Sequence, residues 1–198
     1  RYLKYEMMRV IDYVIRDAAL APLAAPAGLQ VDKVDTVPPD IGGLYEAVRH
    51  DKKCLTRRDY RYLKWRYFDN PARDDYEVWT VRRSGRLGGL MVLKPGSGLA
   101  PDSATIVDWL VPEADTDAAD ALLHKAVQRQ HDEQKQRLLA VFPPWSREHE
   151  HLVARGFVET PSANWMQRRL IHNICIPQVT AEFLTENWWY TLGDSDLA

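Results

Sequence analysis

The middle of the chain constrains the fold most, because the order of its predicted elements is specific. Alternating β-branched and aromatic residues around Ser84-Gly85-Arg86 predict a hairpin of two antiparallel strands. A third, largely apolar strand then precedes a long amphipathic helix and a short buried strand. In order, these elements cover residues 76–81, 87–93, 104–112, 117–137 and 138–142. A meander that leads into a strand–helix–strand unit predicts an α+β fold, in which helices flank a central mixed β-sheet.

The first part of the chain is predicted to lie outside this sheet. Apolar residues recur every three or four positions in residues 2–16, which predicts a helix there. These apolar positions are Leu3, Met7, Val10 and Val14. A stretch rich in Pro and Ala follows and is typical of a tether. We therefore expect an entry helix and tether over residues 1–28, and one domain over residues 29–198.

Further predicted elements complete the domain. The Thr56 and Asp59 pair matches a helix-start pattern, and Gly156 is a typical residue to follow the end of a helix. These elements are strands over 29–34, 164–171 and 187–191, and helices over 38–50, 56–70 and 146–155. The full order is then strand, helix, helix, three strands, helix, strand, helix, strand, with a short strand in the tail.

The composition excludes several classes of function. The 198 residues include Lys+Arg 26 against Asp+Glu 28, a net charge of −2, which gives no general basic surface for nucleic acid. No apolar run is long enough to span a membrane, and the chain begins at Arg1 without a signal peptide, so we expect a longer parent protein. Cys54 and Cys175 match neither a disulfide framework nor a metal-ligand spacing. We expect a cytoplasmic protein with reduced thiols and no metal site.

The element order resembles that of the GNAT (Gcn5-related N-acetyltransferase) superfamily. Residues 106–112 and the helix after them resemble the strand and helix that carry acetyl-CoA in that family. Residues 138–142, followed by a helix that ends at Arg155-Gly156-Phe157, resemble the strand, helix and turn near the end of the domain. Two motifs, at residues 63–71 and 189–196, are similar to motifs of a bacterial subgroup with two GNAT-like halves per chain. The resemblance implies that this chain is the C-terminal half of such a protein.

The resemblance also implies a reaction, the transfer of an acetyl group from acetyl-CoA to the amine of a small molecule or other acceptor. The implied partner is a preceding GNAT-like half or a second copy of the chain. The amine must lose a proton, and the oxyanion needs a backbone N–H donor, commonly from a bulge in the central strand. Asp108 is the candidate base, because it interrupts an apolar strand. The alternative for Asp108 is structural, as a carboxylate that is paired with an arginine or accepts backbone N–H bonds.

The positions that correspond to the family's acetyl-CoA site depart from its pattern. They are Leu110, Val111, Asp117 and Ala118. The family signature supplies Gly and basic residues to hold the pyrophosphate, whereas residues 113–118 read Glu-Ala-Asp-Thr-Asp-Ala. Carboxylates are favourable at the start of a helix but repel a pyrophosphate. Three functions stay open: an active acetyltransferase domain, a catalytically silent GNAT-fold half that binds an acceptor or supports an active half, and an unrelated α+β binding module.

Other candidate residues lie in two helices. Leu152 occupies the position of a Tyr that many family members carry to protonate the leaving thiolate, and the nearest titratable neighbours, His149 and His151, are expected to be solvated. Arg61 and Trp65 are the candidate substrate-binding residues, in a segment where basic and aromatic residues alternate. The competing interpretation of that segment is a charged outer face over an aromatic inner face.

Overall fold

The computed structural model describes residues 6–10, 12–96, 102–161, 169–172 and 179–195. The strands are β1 (Glu6–Val10), β2 (Asp12–Asp17), β3 (Gln30–Val34), β4 (Cys54–Leu55), β5 (Glu77–Arg83), β6 (Arg86–Lys94), β7 (Ser103–Leu110), β8 (Arg137–Ala140), β9 (Val158–Pro161), β10 (Arg169–His172) and β11 (Trp188–Trp189). The α-helices are α1 (Ile41–His50), α2 (Tyr60–Leu63), α3 (Thr116–Asp132), α4 (Arg147–Val153) and α5 (Ala181–Asn187). A π-helical turn, Lys64–Phe68, continues α2, and 3₁₀ turns cover Arg73–Asp75 and Leu192–Asp194.

Seven strands form the central sheet, in the order β3-β5-β6-β7-β8-β2-β9. Strands β7 and β8 run parallel, and the other neighbours are antiparallel. All eight residues of β7 are buried, as expected for a central strand with both faces covered. The predicted α+β fold with a mixed sheet and flanking helices is therefore confirmed.

The predicted entry helix over residues 2–16 is wrong where the structure describes these residues. They form strands β1 and β2, and β2 lies inside the sheet between β8 and β9. The helical spacing was coincidental, since Tyr13, Val14 and Ile15 are residue types that favour strands. Tyr13 and Val14 are buried in the core. The sheet thus contains residues from both sides of the boundary expected near residue 28.

The chain after residue 160 also differs in part from the sequence-based expectation. Of the strand predicted over 164–171, residues 169–172 form β10, which pairs with β1, and residues 164–168 lie outside the described ranges. Helix α5 was not predicted. The strand predicted over 187–191 is shorter, because only β11 pairs with another strand, β4, in parallel.

Helices cover both faces of the sheet. Helix α3 packs on one face through Leu122 and Ala126, together with Met91 and Leu93 of β6. On the other face, α1 and the α2 segment, which we define as α2 and the π-helical turn after it (residues 60–68), pack against the sheet through residues such as Leu44, alongside Leu90 and Val107. A third cluster joins β2 and β8 to the residues after β11. This layering covers β7 and β8, which lie in the middle of the sheet.

Candidate functional site

Strands β7 and β8 form a fork in the middle of the sheet. They pair only over residues 103–105 and 137–139, and they diverge beyond these pairs. On its other side, β7 pairs with β6 through a bulge, in which Val107 is the unmatched residue. The family resemblance implies that the donor for the oxyanion lies at such a bulge. The fork is therefore the candidate reaction centre.

A cavity of about 630 Å³ opens beside the fork. Its apolar wall includes Trp109, Val111 and Phe142. The rings of Trp109 and Phe142 meet edge to face, with their centroids 6.3 Å apart. The start of α3 and the helix α4 supply the other walls. The volume is typical of small-molecule sites, which occupy about 300–1,000 Å³.

Asp108 lies next to the bulge, where four groups bind its carboxylate. The residue is 1% exposed. Arg58 Nε donates to Oδ1 at 2.8 Å, and the Thr191 hydroxyl donates to the same oxygen at 3.0 Å. The Tyr67 hydroxyl donates to Oδ2 at 2.9 Å, and the Trp109 backbone N–H donates to Oδ1 at 2.9 Å. These contacts are the ones expected if Asp108 has a structural role, because its carboxylate is paired with an arginine and accepts a backbone N–H bond.

Arg58 connects Asp108 to the C-terminal segment, which we define as residues 188–195. Its guanidinium is fully buried, and Nη2 donates to Asp194 Oδ2 at 2.6 Å. The guanidinium carbon also lies 4.9 Å from the centre of the Trp189 ring. Burial lowers the pKa of Arg58, but the charges of Asp108 and Asp194 raise it by more, and the net shift is upward. Arg58 is therefore charged in the interior.

The two motifs that carry the family resemblance meet at this cluster. Arg66 of the first motif donates to the Ser195 carbonyl of the second, and Tyr62, just before the first motif, donates its hydroxyl to the Gly193 carbonyl at 2.9 Å. Gly193 packs against the Asp108 carboxylate so closely that an added Cβ would lie 2.9 Å from Oδ2. The α2 segment and the C-terminal segment therefore form one packed unit around Arg58.

The C-terminal segment fills the fork between β7 and β8. Trp189 is fully buried, and its ring lies 6.1 Å from the ring of Phe142, which follows β8. Tyr190 and Leu192 pack in one cluster with Leu139 of β8. The C-terminal segment therefore closes the fork. The Asp108 carboxylate beside the bulge is not among the groups that line the cavity.

A second buried cation lies at the edge of the cavity. The side chain of Lys52 is fully buried, and its Nζ is 2.5 Å from Glu113 Oε1 and 2.8 Å from Glu148 Oε1. Glu148 Oε2 in turn accepts a bond from the Trp189 indole N–H at 3.0 Å. One ammonium group thus serves two carboxylates, which leaves this cluster with a surplus negative charge.

The positions expected to hold acetyl-CoA lie at the end of β7 and the start of α3. They are Leu110, Val111, Asp117 and Ala118, and all except Asp117 are buried. Asp115 begins the helix, and its carboxylate accepts the Ala118 N–H at 3.1 Å. Asp117 pairs with Arg83 of the β5–β6 hairpin at 3.1 Å. The start of α3 is therefore already occupied by anions of the chain itself.

The cavity does not fit the anionic cofactor that the fold implies. Among the residues that line it, Arg147 is the one arginine or lysine. Five lining residues carry carboxylates: Asp51, Glu113, Asp115, Glu148 and Glu150. Arg147 is itself paired with Glu150 at 2.9 Å. A carboxylate at 5 Å from a pyrophosphate charge costs roughly 3 kcal/mol at an effective dielectric of 20, before salt screening. Lys52 and Arg83 pair with three of the five carboxylates and Arg147 with a fourth, so five negative charges face three positive ones around the cavity.

Arg61 and Trp65 lie on the outer surface of the α2 segment. Trp65 is 65% exposed, and Arg61 is exposed beside it. Neither residue lines the cavity, and the structure does not bring them together with Asp108. The inner face of the same segment carries Leu63 and Tyr67, both buried. This arrangement agrees with a charged outer face over an aromatic inner face.

The expectation that His149 and His151 are solvated is wrong. His149 is buried and His151 is half-buried, because α4 packs against β2 and the wall of the cavity. His149 Nε2 lies 2.8 Å from Glu159 Oε1, and His151 Nε2 lies 3.0 Å from Asp120 Oδ1. Burial and then the charge of Arg155 lower the pKa of His151, which favours its neutral form at pH 7.

Sequence reasoning missed the two buried cations of this site, Arg58 and Lys52. A signal for Arg58 was present, because a carboxylate within an apolar strand requires a partner. The sequence around Arg58 does not distinguish it from the adjacent, exposed Arg57. Only the packed structure shows which of the two arginine side chains points inward. No sequence feature indicated that the side chain of Lys52 is buried.

Tyr67 makes the stability of this site depend on pH in the alkaline range. Burial and then the charge of Asp108 raise the pKa of Tyr67 well above its ordinary value near 10. The unfolded chain loses the phenolic proton from about pH 10 upward while the folded chain keeps it, so stability falls as pH rises. The slope is up to about 1.4 kcal/mol per pH unit for this tyrosine. Urea unfolding at pH 9, 10 and 11 should show a shallower decline for Tyr67→Phe; equal slopes in the two proteins would contradict this account.

No protein-family model matches the sequence, and no curated protein matches it significantly either. Among solved structures, an Enterococcus faecalis protein described as a "Probable N-Acyltransferase" matches with a TM-score of 0.59 at 13% identity over 80% of this chain. This chain has the GNAT fold. A Staphylococcus epidermidis protein of unknown function gives 0.55 at 12% identity over 80% of this chain, and a GCN5-related N-acetyltransferase from Anabaena variabilis gives 0.48 at 12% over 69%. The chain spans 39%, 60% and 34% of these three proteins, respectively.

Two further findings concern the described residues of the GNAT-fold chain. No helix in these ranges combines the length and apolar character needed to cross a bilayer. In the same ranges, no three His, Cys, Asp or Glu side chains are grouped so that they could hold a metal ion.

Proposed function

We propose that this chain is a catalytically silent GNAT-fold half, which binds a ligand or supports an active half and does not itself transfer an acetyl group. The observation that carries the proposal is the closed fork. The position where thioester and amine would have to meet is filled by the C-terminal segment, and Asp108 beside it is 1% exposed. An amine cannot approach a group that is sealed from solvent and from the cavity.

The contacts of Asp108 support a structural role for this residue. Its two oxygens accept bonds from a guanidinium, two hydroxyls and a backbone N–H. A general base must have a lone pair within hydrogen-bond reach of the proton that it removes. Here Oδ1 accepts from Arg58, Thr191 and Trp109, Oδ2 accepts from Tyr67, and at 1% exposure the carboxylate has no open side from which an amine could approach. We therefore propose that Asp108 fixes the C-terminal segment and is not the base.

The charge of the cavity supports the same conclusion for the cofactor. The positive end of α3 is capped by Asp115, and the lining is dominated by carboxylates. A GNAT-fold cavity that holds acetyl-CoA would need donors and cations where this chain has anions. We propose that acetyl-CoA is not a cofactor of this chain.

We also propose that a GNAT-like half preceding this one, or a second copy of the chain, is the partner in the parent protein. The proposal is supported by the length comparison, since this chain spans 39% of the Enterococcus faecalis protein. Arg61 and Trp65 are exposed and available to an acceptor or to such a partner. A cytoplasmic location is supported by the free thiol of Cys54, since cytosolic thiols are kept reduced.

An active acetyltransferase is the second candidate, and one observation favours it. Strand β7 carries a bulge beside a fork, which is the backbone feature that the reaction requires for its oxyanion. This candidate needs the C-terminal segment to leave the fork, which would expose Trp189 and break the ion pair between Arg58 and Asp194.

The two candidates predict different responses to acetyl-CoA. A site with a Kd of about 10 µM would stabilise the fold by about 2.7 kcal/mol at 1 mM ligand, which raises the melting temperature by several degrees. We expect no shift at 1 mM acetyl-CoA, and no release of free thiol with a panel of primary amines. CoA-free protein in the same buffer is the control. A shift of several degrees, or thiol release that depends on both acetyl-CoA and amine, would overturn the proposed function.

A further inference from the structure

We propose that the outer face of the α2 segment is an interface at which two copies of this chain pair around a two-fold axis. This outer face consists of five exposed residues, Tyr60, Arg61, Lys64, Trp65 and Asp69. The inference rests on the proposed function in one respect, since that function gives the chain a preceding half or a second copy as its partner. The order of the charges along the outer face selects the second copy.

Trp65 forms the apolar centre of the outer face. Its side chain is 65% exposed, and Tyr60, about one turn earlier, is 48% exposed. Arg61 lies between them in the sequence and is also exposed. Trp, Tyr and Arg are the residue types that most often dominate the binding energy of protein interfaces. The composition of the outer face is therefore that of an interface centre.

The inner face of the α2 segment holds these exposed side chains in place. The Tyr62 hydroxyl donates to the Gly193 carbonyl, and the Tyr67 hydroxyl donates to Asp108, both at 2.9 Å. The Trp65 ring lies against the ring of Tyr62, with their centroids 6.1 Å apart. The backbone that presents the outer face is thus fixed before association, which lowers the entropic cost of binding.

Arg61 and Asp69 place opposite charges on the two sides of Trp65. Arg61 comes four residues before Trp65, and Asp69 comes four residues after it. Within the described part of the chain, Arg61 has no ion-pair partner. Asp69 is 54% exposed and contacts Lys64, with Nζ and Oδ2 2.6 Å apart. Exposed pairs of this kind are weak, so the Asp69 carboxylate can accept a second cation.

A two-fold axis at Trp65 makes these charges complementary. In two antiparallel copies of a helix centred on one residue, each residue before the centre faces the residue equally far after the centre in the other copy. Arg61 of each copy then meets Asp69 of the other copy, and the two Trp65 rings meet at the axis. A symmetric dimer needs a surface that is complementary to itself, and the order cation, indole, carboxylate meets that requirement.

We expect the dimer to be weak and reversible, because each copy contributes only two turns of helix. Interfaces below about 1,200 Å² are typical of transient complexes. Sedimentation velocity over about 5–500 µM protein at low ionic strength should show a monomer–dimer equilibrium with a Kd of about 10–100 µM. Added salt should weaken the dimer, since the contacts between Arg61 and Asp69 lie near solvent.

Trp65→Ala tests the centre of the interface. It should raise the Kd of the dimer at least about thirtyfold, because an interface of this size depends on one buried anchor. The fold should tolerate the change, since the Trp65 side chain is mostly exposed. Trp145→Ala is the matched control, because Trp145 is 43% exposed and lies outside the α2 segment. We expect the control to change the Kd by no more than about twofold.

Charge reversal tests the symmetry. Arg61→Asp and Asp69→Arg each place like charges opposite each other at both contacts, so each variant alone should remain monomeric over the same concentrations. An equimolar mixture of the two variants restores opposite charges at both contacts and should associate with a Kd within about tenfold of the wild-type value. Mixing would not repair a folding defect, and circular dichroism of each variant checks that it is folded.

Three results would each overturn the inference: a wild-type monomer at every concentration, a dimer that Trp65→Ala leaves unchanged, or charge variants that stay monomeric when mixed. None of them alters the proposed silence toward acetyl-CoA, which the thermal shift measures separately. A thermal shift with acetyl-CoA in a protein whose dimer is intact would remove the silent function and leave the interface. The two failures are therefore distinguishable.

Discussion

Replacing Arg58 with Met is expected to lower the free energy of unfolding by about 3–5 kcal/mol. The substitution keeps much of the side chain's volume but leaves Asp108 and Asp194 buried without their cation. Both carboxylates are within 2.8 Å of the guanidinium and almost inaccessible to water. Urea unfolding, followed by far-ultraviolet circular dichroism, measures the difference. If the single variant is too unstable to purify, Asp108→Asn and Asp194→Asn on the same background should restore part of the lost stability.

The matched control for this experiment is the preceding residue. Arg57 is 76% exposed, and its ion pair with Asp59 lies at the surface. Arg57→Met should change stability by no more than about 0.5 kcal/mol. A loss below about 1 kcal/mol for Arg58→Met, equal to that of the control, would contradict the role of Arg58 as the centre of the closed fork.

The second large effect is expected from Gly193→Ala, which should destabilise the protein by about 1–3 kcal/mol. The methyl group would collide with the Tyr67 hydroxyl, its nearest neighbour, and would lie 2.9 Å from Asp108 Oδ2, closer than real Cβ atoms come to other atoms. Neither Asp108 nor the C-terminal segment can move without breaking the bonds to Arg58. The melting temperature and urea midpoint measure the loss.

Gly43→Ala is the control for the same chemical change. Gly43 lies in α1 with no atom within 4 Å of an added Cβ, so alanine there should stabilise the helix by about 0.5–1 kcal/mol. Opposite signs for the two substitutions are expected. Equal effects would show that the contact between Gly193 and Asp108 is not tight in solution.

Local patterns predicted the middle of the fold well, because that part has regular periodicity and clear end signals. Gly156, with a φ of +88°, follows the end of α4 as predicted. The helix predicted from Thr56 begins later, at Tyr60, because Asp59 and not Thr56 is the residue whose side chain caps it, by accepting the Tyr62 N–H. Strand β7 was recognised as central because it is nearly all apolar. These features act within a few residues, so the sequence carries them directly.

The ends of the chain could not be predicted in the same way. Spacing in residues 2–16 matched a helix, whereas the β-branched and aromatic side chains of β2 gain more by pairing with β8 and β9. The C-terminal segment has little structure of its own, and Trp189 and Thr191 are fixed by groups more than forty residues away. Such elements are defined by tertiary packing.

In the candidate site, too, features set by neighbouring residues could be predicted, and features set by tertiary packing could not. The anionic start of α3 was readable from Asp115 and Asp117, because helix capping is local. The sequence also indicated the two alternative roles for Asp108, catalytic base or structural carboxylate. The choice between them depended on the direction of the Arg58 side chain. Closure of the fork by the C-terminal segment had no local signal, and it is the feature that decides the proposed function.

The central claim is that the GNAT fold of this chain contains a closed fork and an anionic cavity. A calorimetric titration of acetyl-CoA into the chain tests this claim most directly. The claim predicts no heat of binding up to millimolar acetyl-CoA, in wild-type protein and in Arg57→Met alike. Saturable binding with a Kd of tens of micromolar or tighter would contradict it and would restore the active acetyltransferase as the better account.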